Sequence, residues 1–274
     1  MNINYAYLYD GFLSERKYER EVAALETKLN TYDLAGKISR LALFREPKDL
    51  VMGMVNKRIS TIVVVGNDET LFKIIGLMPE LNATIGYIPL AKPSAVADLL
   101  SIPIGSDACD VLAARFVETL DMGLIGDQYF FTEVFLPNTR AGLNVEGQYQ
   151  VSPVSGGSLS IRNLGGIKNP KQNQADAKDG LLEAVVIPNE EKKRSLWRRR
   201  RADKQDTRIM FSNGSLVSDK PINFFVDNKL VSGQKIEVSI LPGSVRFITG
   251  RGRVRKTEKV LPKPKKNATL ASRE

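Results

Sequence analysis

The stretch Ser60-Thr61-Ile62-Val63-Val64-Val65-Gly66-Asn67-Asp68-Glu69-Thr70-Leu71 decides how this chain is read. Residues 61–65 are long enough, and β-branched enough, for one buried strand that ends on Gly66. A short polar turn follows, and helical spacing begins at Leu71, Phe72, Ile74 and Ile75. A strand–turn–helix unit of this kind aims backbone N–H groups and one carboxylate at a helix N-terminus, where phosphate and its metal counter-ion can be held. The same residues also read as a plain turn with no ligand. Sixteen residues beyond Leu71, Tyr87-Ile88-Pro89-Leu90 closes a further apolar run.

Working outward, Tyr5-Ala6-Tyr7-Leu8-Tyr9 reads as a first strand ended by Asp10-Gly11. Tyr18, Val22, Leu25 and Leu29 fall at helical spacing and predict a helix over 14–29. A strand over 40–44, a helix over 48–57 and a strand over 85–88 complete a strand–helix alternation. That alternation predicts an α/β N-terminal domain, residues 1–105, built on a parallel doubly wound sheet. Beyond Pro103 the segments 114–120, 128–136, 158–161, 182–187, 208–211, 222–226 and 236–241 are short and β-rich, with Gly, Asn, Asp and Pro between them. They predict a second, mainly antiparallel β domain over 106–250. Residues 165–180 read as a polar loop, and 251–274 as a basic, disordered tail.

Composition narrows the chemistry. The 274 residues contain no His and a single Cys, Cys109. Ser-His or Cys-His nucleophilic machinery, His-ligated zinc and an internal disulfide are therefore excluded, and proton transfer falls to a carboxylate, Lys, Tyr or the substrate. No apolar run approaches a membrane span, and the start lacks the pattern of a secretory signal, so a cytoplasmic protein is expected. The net charge of +9 is concentrated: residues 192–204 hold eight Lys/Arg against one Asp, and 249–274 hold nine against two Glu, leaving the remainder mildly acidic.

Four landmarks in order resemble the diacylglycerol kinase catalytic family, whose fold is NAD-kinase-like. Val65-Gly66-Asn67-Asp68-Glu69-Thr70-Leu71 is similar to its Gly-Gly-Asp-Gly-Thr-Leu nucleotide loop, and Ile88-Pro89-Leu90 to the start of its Ile-Pro-Leu-Gly-Thr-Gly-Asn-Asp segment. Asp179-Gly180-Leu181-Leu182-Glu183 resembles its Asp-Gly-Leu-Leu-Asp strand, and Phe225-Val226-Asp227-Asn228-Lys229 with Leu241-Pro242-Gly243 its Asp-Gly-Glu strand and closing Pro-Gly segment. The resemblance implies an ATP- and Mg²⁺-dependent lipid kinase acting on a lipid hydroxyl such as that of diacylglycerol. By position it assigns Gly66, Asn67, Asp68, Thr70 and Lys92 to nucleotide contact, Asp68 to metal or phosphate, and Asp227 to the base that takes the hydroxyl proton.

The departures from the family pattern matter. Asn67 and Glu69 replace two glycines, and Ala91-Lys92-Pro93-Ser94 replaces the second glycine-rich turn. A side chain and a negative charge at Glu69 oppose close phosphate approach. The family's loop after the first strand is replaced by Tyr9-Asp10-Gly11-Phe12, and Lys229 stands where a Glu is expected. Lys92 reads as a phosphate-binding charge or a solvated lysine, and Asp227 as a catalytic base or, with Asn228, as a hairpin turn. A catalytically impaired pseudoenzyme that binds lipid, membrane or nucleotide is thus the alternative.

Lys192-Lys193-Arg194-Ser195-Leu196-Trp197-Arg198-Arg199-Arg200-Arg201 carries the only Trp. Clustered cations around an aromatic suit an anionic membrane surface, at about 1 kcal/mol per cation, or nucleic-acid phosphates, or a solvated loop. The resemblance to a lipid kinase favours the membrane: Trp197 and Arg198–Arg201 are expected to dock the protein peripherally, with nucleic acid disfavoured and a homodimer left open.

Overall fold

The computed structural model describes residues 5–41, 47–55, 59–153, 157–187 and 207–252. The first part alternates as expected: β1 (Tyr5–Tyr9), α1 (Glu19–Thr31), β2 (Lys37–Arg40), α2 (Pro47–Val55), β3 (Thr61–Gly66), α3 (Asp68–Ile75), β4 (Thr84–Pro89), α4 (Ala95–Leu100) and α5 (Ala108–Ala114). The strands lie in the order β2-β1-β3-β4, all parallel. β1, β3 and β4 are buried at every position, which is why they appear in the sequence as unbroken apolar runs and not as alternating ones. Strand order reverses between β1 and β3, so the crevice beyond their C-terminal ends is the place where an open α/β sheet receives a ligand.

The second part is antiparallel: β5 (Val117–Ile125), β6 (Gln128–Phe130), β7 (Glu133–Leu136), β8 (Gly142–Val145), β9 (Tyr149–Val151), β10 (Ser158–Arg162), β11 (Leu182–Ile187), β12 (Thr207–Phe211), β13 (Asn213–Val226) and β14 (Lys229–Ile248). One long hairpin, β13–β14, organises it. β14 shifts register between Leu241 and Val245 against β5, and its end then pairs in parallel with β4, Phe247 beside Ile85. The β-rich part is thereby stitched into the α/β sheet. Two hydrophobic clusters result, one around β1, β3 and β4 with Phe247 and Ile248, the other around Val134, Leu159, Ile161, Leu182, Phe211 and Phe224. β5 serves both, giving Leu120 and Met122 to the first and Ile125 to the second.

Several boundaries differ from the sequence expectation for identifiable reasons. The first helix is preceded by two short 3₁₀ turns and starts at Glu19, after Asp10 has capped the first of them through the Phe12 N–H. β2 covers Lys37–Arg40 and not 40–44; residues 42–46 lie outside the described residues. The strand expected over 114–120 begins at Val117, because Ala108–Ala114, rich in alanine, forms α5. The single strand expected over 128–136 is two, parted at Phe131-Thr132, whose N–H groups turn to the Asp227 carboxylate. The basic patch with Trp197 and Arg198–Arg201, and residues 253–274, lie outside the described residues. Among the described residues no helix is long and apolar enough to cross a membrane.

Candidate functional site

Three chain segments meet at the C-terminal ends of the parallel strands: Asp10 after β1, Gly66 at the end of β3 with Asn67-Asp68 following it, and the residues from Leu90 to Ser94 after β4. Backbone bonds fix them to one another, Asp10 N–H to Val65 C=O at 2.9 Å and Leu90 N–H to Gly66 C=O at 2.8 Å. Gly66, Asn67, Asp68 and Thr70 form the continuous turn from β3 into the first turn of α3, and what surrounds them determines what they can hold.

Asn67 is the N-cap of α3: its Oδ1 accepts the Thr70 N–H at 2.9 Å. One of the helix N-terminal donors that an anion would use is thus satisfied internally. Asp68 reaches across to the next helix. Its carboxylate accepts from Tyr87 Oη at 2.9 Å, Ser94 Oγ at 2.5 Å, the Ala95 N–H at 2.7 Å and the Val96 N–H at 3.3 Å. Ser94 in turn caps α4 by accepting the Ala97 N–H at 3.1 Å. Burial, and then the Asp68 charge, push the Tyr87 phenol well above its usual range, so Tyr87 stays a donor to that carboxylate. Both Asp68 oxygens are engaged by protein donors, an arrangement that suits a structural cap.

Glu69 does not enter the crevice. Its carboxylate is exposed and pairs with Lys73 Nζ at 2.8 Å, one helical turn on. The anion that does face Gly66 and Thr70 is Asp10, which the sequence reading places only at the end of β1, in the segment that replaces the family's loop. Thr70 Oγ1 donates to Asp10 Oδ2, and the Phe12 N–H donates to Oδ1 at 3.2 Å. A Cβ at Gly66 would lie 2.9 Å from Asp10 Cβ and 3.3 Å from Oδ2. The glycine is needed here because Asp10 approaches so closely. Lys92 is exposed beside the cis Lys92–Pro93 bond, and no ion pair to it is seen among the described residues.

Asp227 sits elsewhere. With Asn228 it forms the two-residue turn between β13 and β14, both residues at positive φ (44° and 71°), the geometry of a type I′ hairpin. Its buried carboxylate accepts from the Phe131 N–H (2.6 Å), the Thr132 N–H (2.8 Å), Thr132 Oγ1 (2.5 Å) and the Glu133 N–H (3.3 Å). Burial pushes this carboxyl up to about 6, against the pull of those four donors. All of its donors belong to residues 131–133 and none to the Gly66–Thr70 turn. Phe131 stacks on Phe247 at 5.6 Å within the first hydrophobic cluster, while Phe130 and Val226 belong to the second, so this turn lies where the two clusters meet.

Next to that turn opens a groove of about 550 Å³, within the size range of small-molecule sites. Alternation places Val134, Leu159, Ile161 and Ala184 in the core, so Phe135, Ser160, Arg162 and Ile187 share the opposite face, with Phe225 beside Phe135. Phe135, Pro137, Ile167, Ile187 and Phe225 supply its apolar wall. The floor is a buried polar chain: Arg162 Nε donates to Ser160 Oγ at 2.9 Å, Ser160 Oγ to Glu133 Oε2 at 2.5 Å, and the Ile167 N–H to Glu133 Oε1 at 2.7 Å. Lys168 stands over the Phe135 ring at 5.2 Å. Sequence reading missed this groove. The available signal was the alternation Ser158-Leu159-Ser160-Ile161-Arg162, which puts three polar side chains on one face of a strand that is itself buried.

No protein-family model matches the sequence, and no curated protein matches it. Its structure, however, is similar to solved ones. A crystal structure described as a diacylglycerol kinase from Bacillus anthracis str. Sterne superposes with a TM-score of 0.73 at 13% identity, covering 92% of this chain and 98% of that one. A second from the same organism gives 0.74 at 13% identity over 92% and 97%, and a third 0.72 at 11% over 92% and 98%. The chain has the diacylglycerol-kinase fold. At this identity the likeness carries over the fold and not the chemistry.

A Mg²⁺-triphosphate can be tested against the crevice as built. Asp68 has its oxygens turned to Tyr87, Ser94 and α4, Asn67 covers a helix donor, and the Asp10 carboxylate lies against Gly66 and Thr70. Among the described residues no three acidic, His or Cys side chains converge to hold a metal ion. The residues present do not fit ATP with Mg²⁺.

Proposed function

We propose that this chain is a lipid-binding protein on the diacylglycerol-kinase fold, a pseudoenzyme that takes a lipid such as diacylglycerol in the β-domain groove without phosphorylating it. The observation that carries this reading is the groove itself. Its Phe135–Phe225 wall suits an acyl chain, while Arg162, Ser158 and the asparagines Asn169, Asn173 and Asn228 at its lining suit a polar head. Burying one chain of a lipid there gains about 0.8 kcal/mol per methylene, enough for binding without help from a nucleotide. Peripheral docking on an anionic membrane belongs to the same proposal: the cationic run with Trp197 begins five residues after Ile187, which lines the groove.

The catalytic reading, an ATP- and Mg²⁺-dependent lipid kinase, keeps one observation in its favour. Asp227, with its carboxyl raised to about 6, could accept a proton near neutral pH, and its turn adjoins the groove through Asn228 and Glu133. Its complete set of protein donors counts against that role. Titration of the full chain with a short-chain diacylglycerol, in parallel with Phe135→Asp, tests the proposal. Saturable binding that weakens at least tenfold in the variant is expected; equal binding by both proteins contradicts the groove as the site.

A further inference from the structure

The β1–β3 crevice already contains an anion, and it comes from the chain. A phosphate at such a crevice gains from close backbone approach at a glycine, from the first-turn donors of the following helix and from the positive end of its dipole. The Asp10 carboxylate has the close approach to a glycine and one first-turn donor, the Thr70 hydroxyl. It packs on Gly66 so tightly that any Cβ there would clash at 2.9 Å, it accepts from Thr70 Oγ1 in the first turn of the eight-residue α3, and it is anchored by the Phe12 N–H at 3.2 Å. Its own N–H, bound to Val65 C=O, fixes the backbone from which the side chain projects.

We propose that Asp10 is a resident substitute for a phosphate group, and that it is the residue that bars polyphosphates from this crevice. A triphosphate would have to displace it from Thr70 and then lie beside its charge, and two like charges at a few ångströms repel strongly wherever water is partly excluded. The glycine and threonine that resemble a nucleotide loop are accounted for by the internal carboxylate they contact. This inference rests on the reading of the crevice as a nucleotide cradle in the kinase frame, and it concerns a different region from the lipid groove.

The test uses the full chain as wild type, Asp10→Asn and Asp10→Ser, with Mg²⁺–ATP and inorganic tripolyphosphate as probes, read by calorimetric titration and by the shift in melting temperature. Asp10→Asn keeps the size and a hydrogen-bond acceptor for Thr70 while removing the charge; Asp10→Ser serves should the first variant fail to fold. Wild type is expected to bind neither probe below millimolar concentration, and the neutral variants to gain at least tenfold in affinity for both. Diacylglycerol binding is read on the same samples and should not change. Wild-type binding as tight as that of the variants overturns the proposal, and so does a folded neutral variant with no gain. Loss of lipid binding alongside a polyphosphate gain would refute the groove and leave Asp10 in its role.

Discussion

Two carboxylates show how one residue type can be placed for different work. Asp10 is held at the surface of the crevice by a hydroxyl and one N–H, whereas Asp227 is buried among three N–H groups and a hydroxyl. For Asp227 burial outweighs its donors, so its carboxyl rises from an ordinary 3.8 to about 6. The folded protein then binds more protons than the unfolded chain between those values, and the stability this group contributes falls as pH rises through that window. In Asp227→Asn the amide NH₂ must face N–H donors, at a cost of about 1–3 kcal/mol. The cost is expected to be larger at pH 4 than at pH 7, because only wild type loses stability in between. Urea denaturation at both pH values checks this; a cost that grows with pH contradicts it.

At the scale of elements, Asp68 acts as a clamp between α3, β4 and α4. It is the second residue past β3, yet it receives Tyr87 from β4 and the first two amides of α4. Asp68→Ala leaves those donors without an acceptor and is expected to destabilise the protein by about 1–3 kcal/mol, with the earliest amide exchange in α4. A nucleotide-binding Asp68 would give the reverse, near-normal stability with altered ligand response. The strand-to-helix unit at 60–71 was legible because its signals are local: β-branched residues, then glycine, then a polar cap, then helical spacing. The Asp227-Asn228 turn was legible for the same reason. Asp10 and Thr70 are 60 residues apart, so nothing in the local pattern announces their contact. The return of β14 to β4 was likewise hidden. It depends on Gly243 at φ +60° and on the Asp121 carboxylate, 122 residues distant, accepting the Gly243 N–H at 2.7 Å. The same carboxylate accepts the Gly180 N–H at 2.9 Å, joining two segments read separately in the sequence.

Across the whole molecule the frame and the chemistry part company. Parallel strands in the order β2-β1-β3-β4 create a crevice at the point where strand order reverses, and β14 ties to it an antiparallel sheet whose outer face carries the groove. The frame is that of the diacylglycerol kinases it superposes on, while the crevice is filled by internal caps and the groove remains open. The most direct test is transfer of radiolabelled phosphate from Mg²⁺–ATP into a mixed lipid extract containing diacylglycerol, with Asp68→Ala in parallel. Label in the lipid fraction at the no-protein background is the predicted result. Labelling that grows with time and protein concentration, and disappears in a folded Asp68→Ala, would contradict the account and restore the kinase.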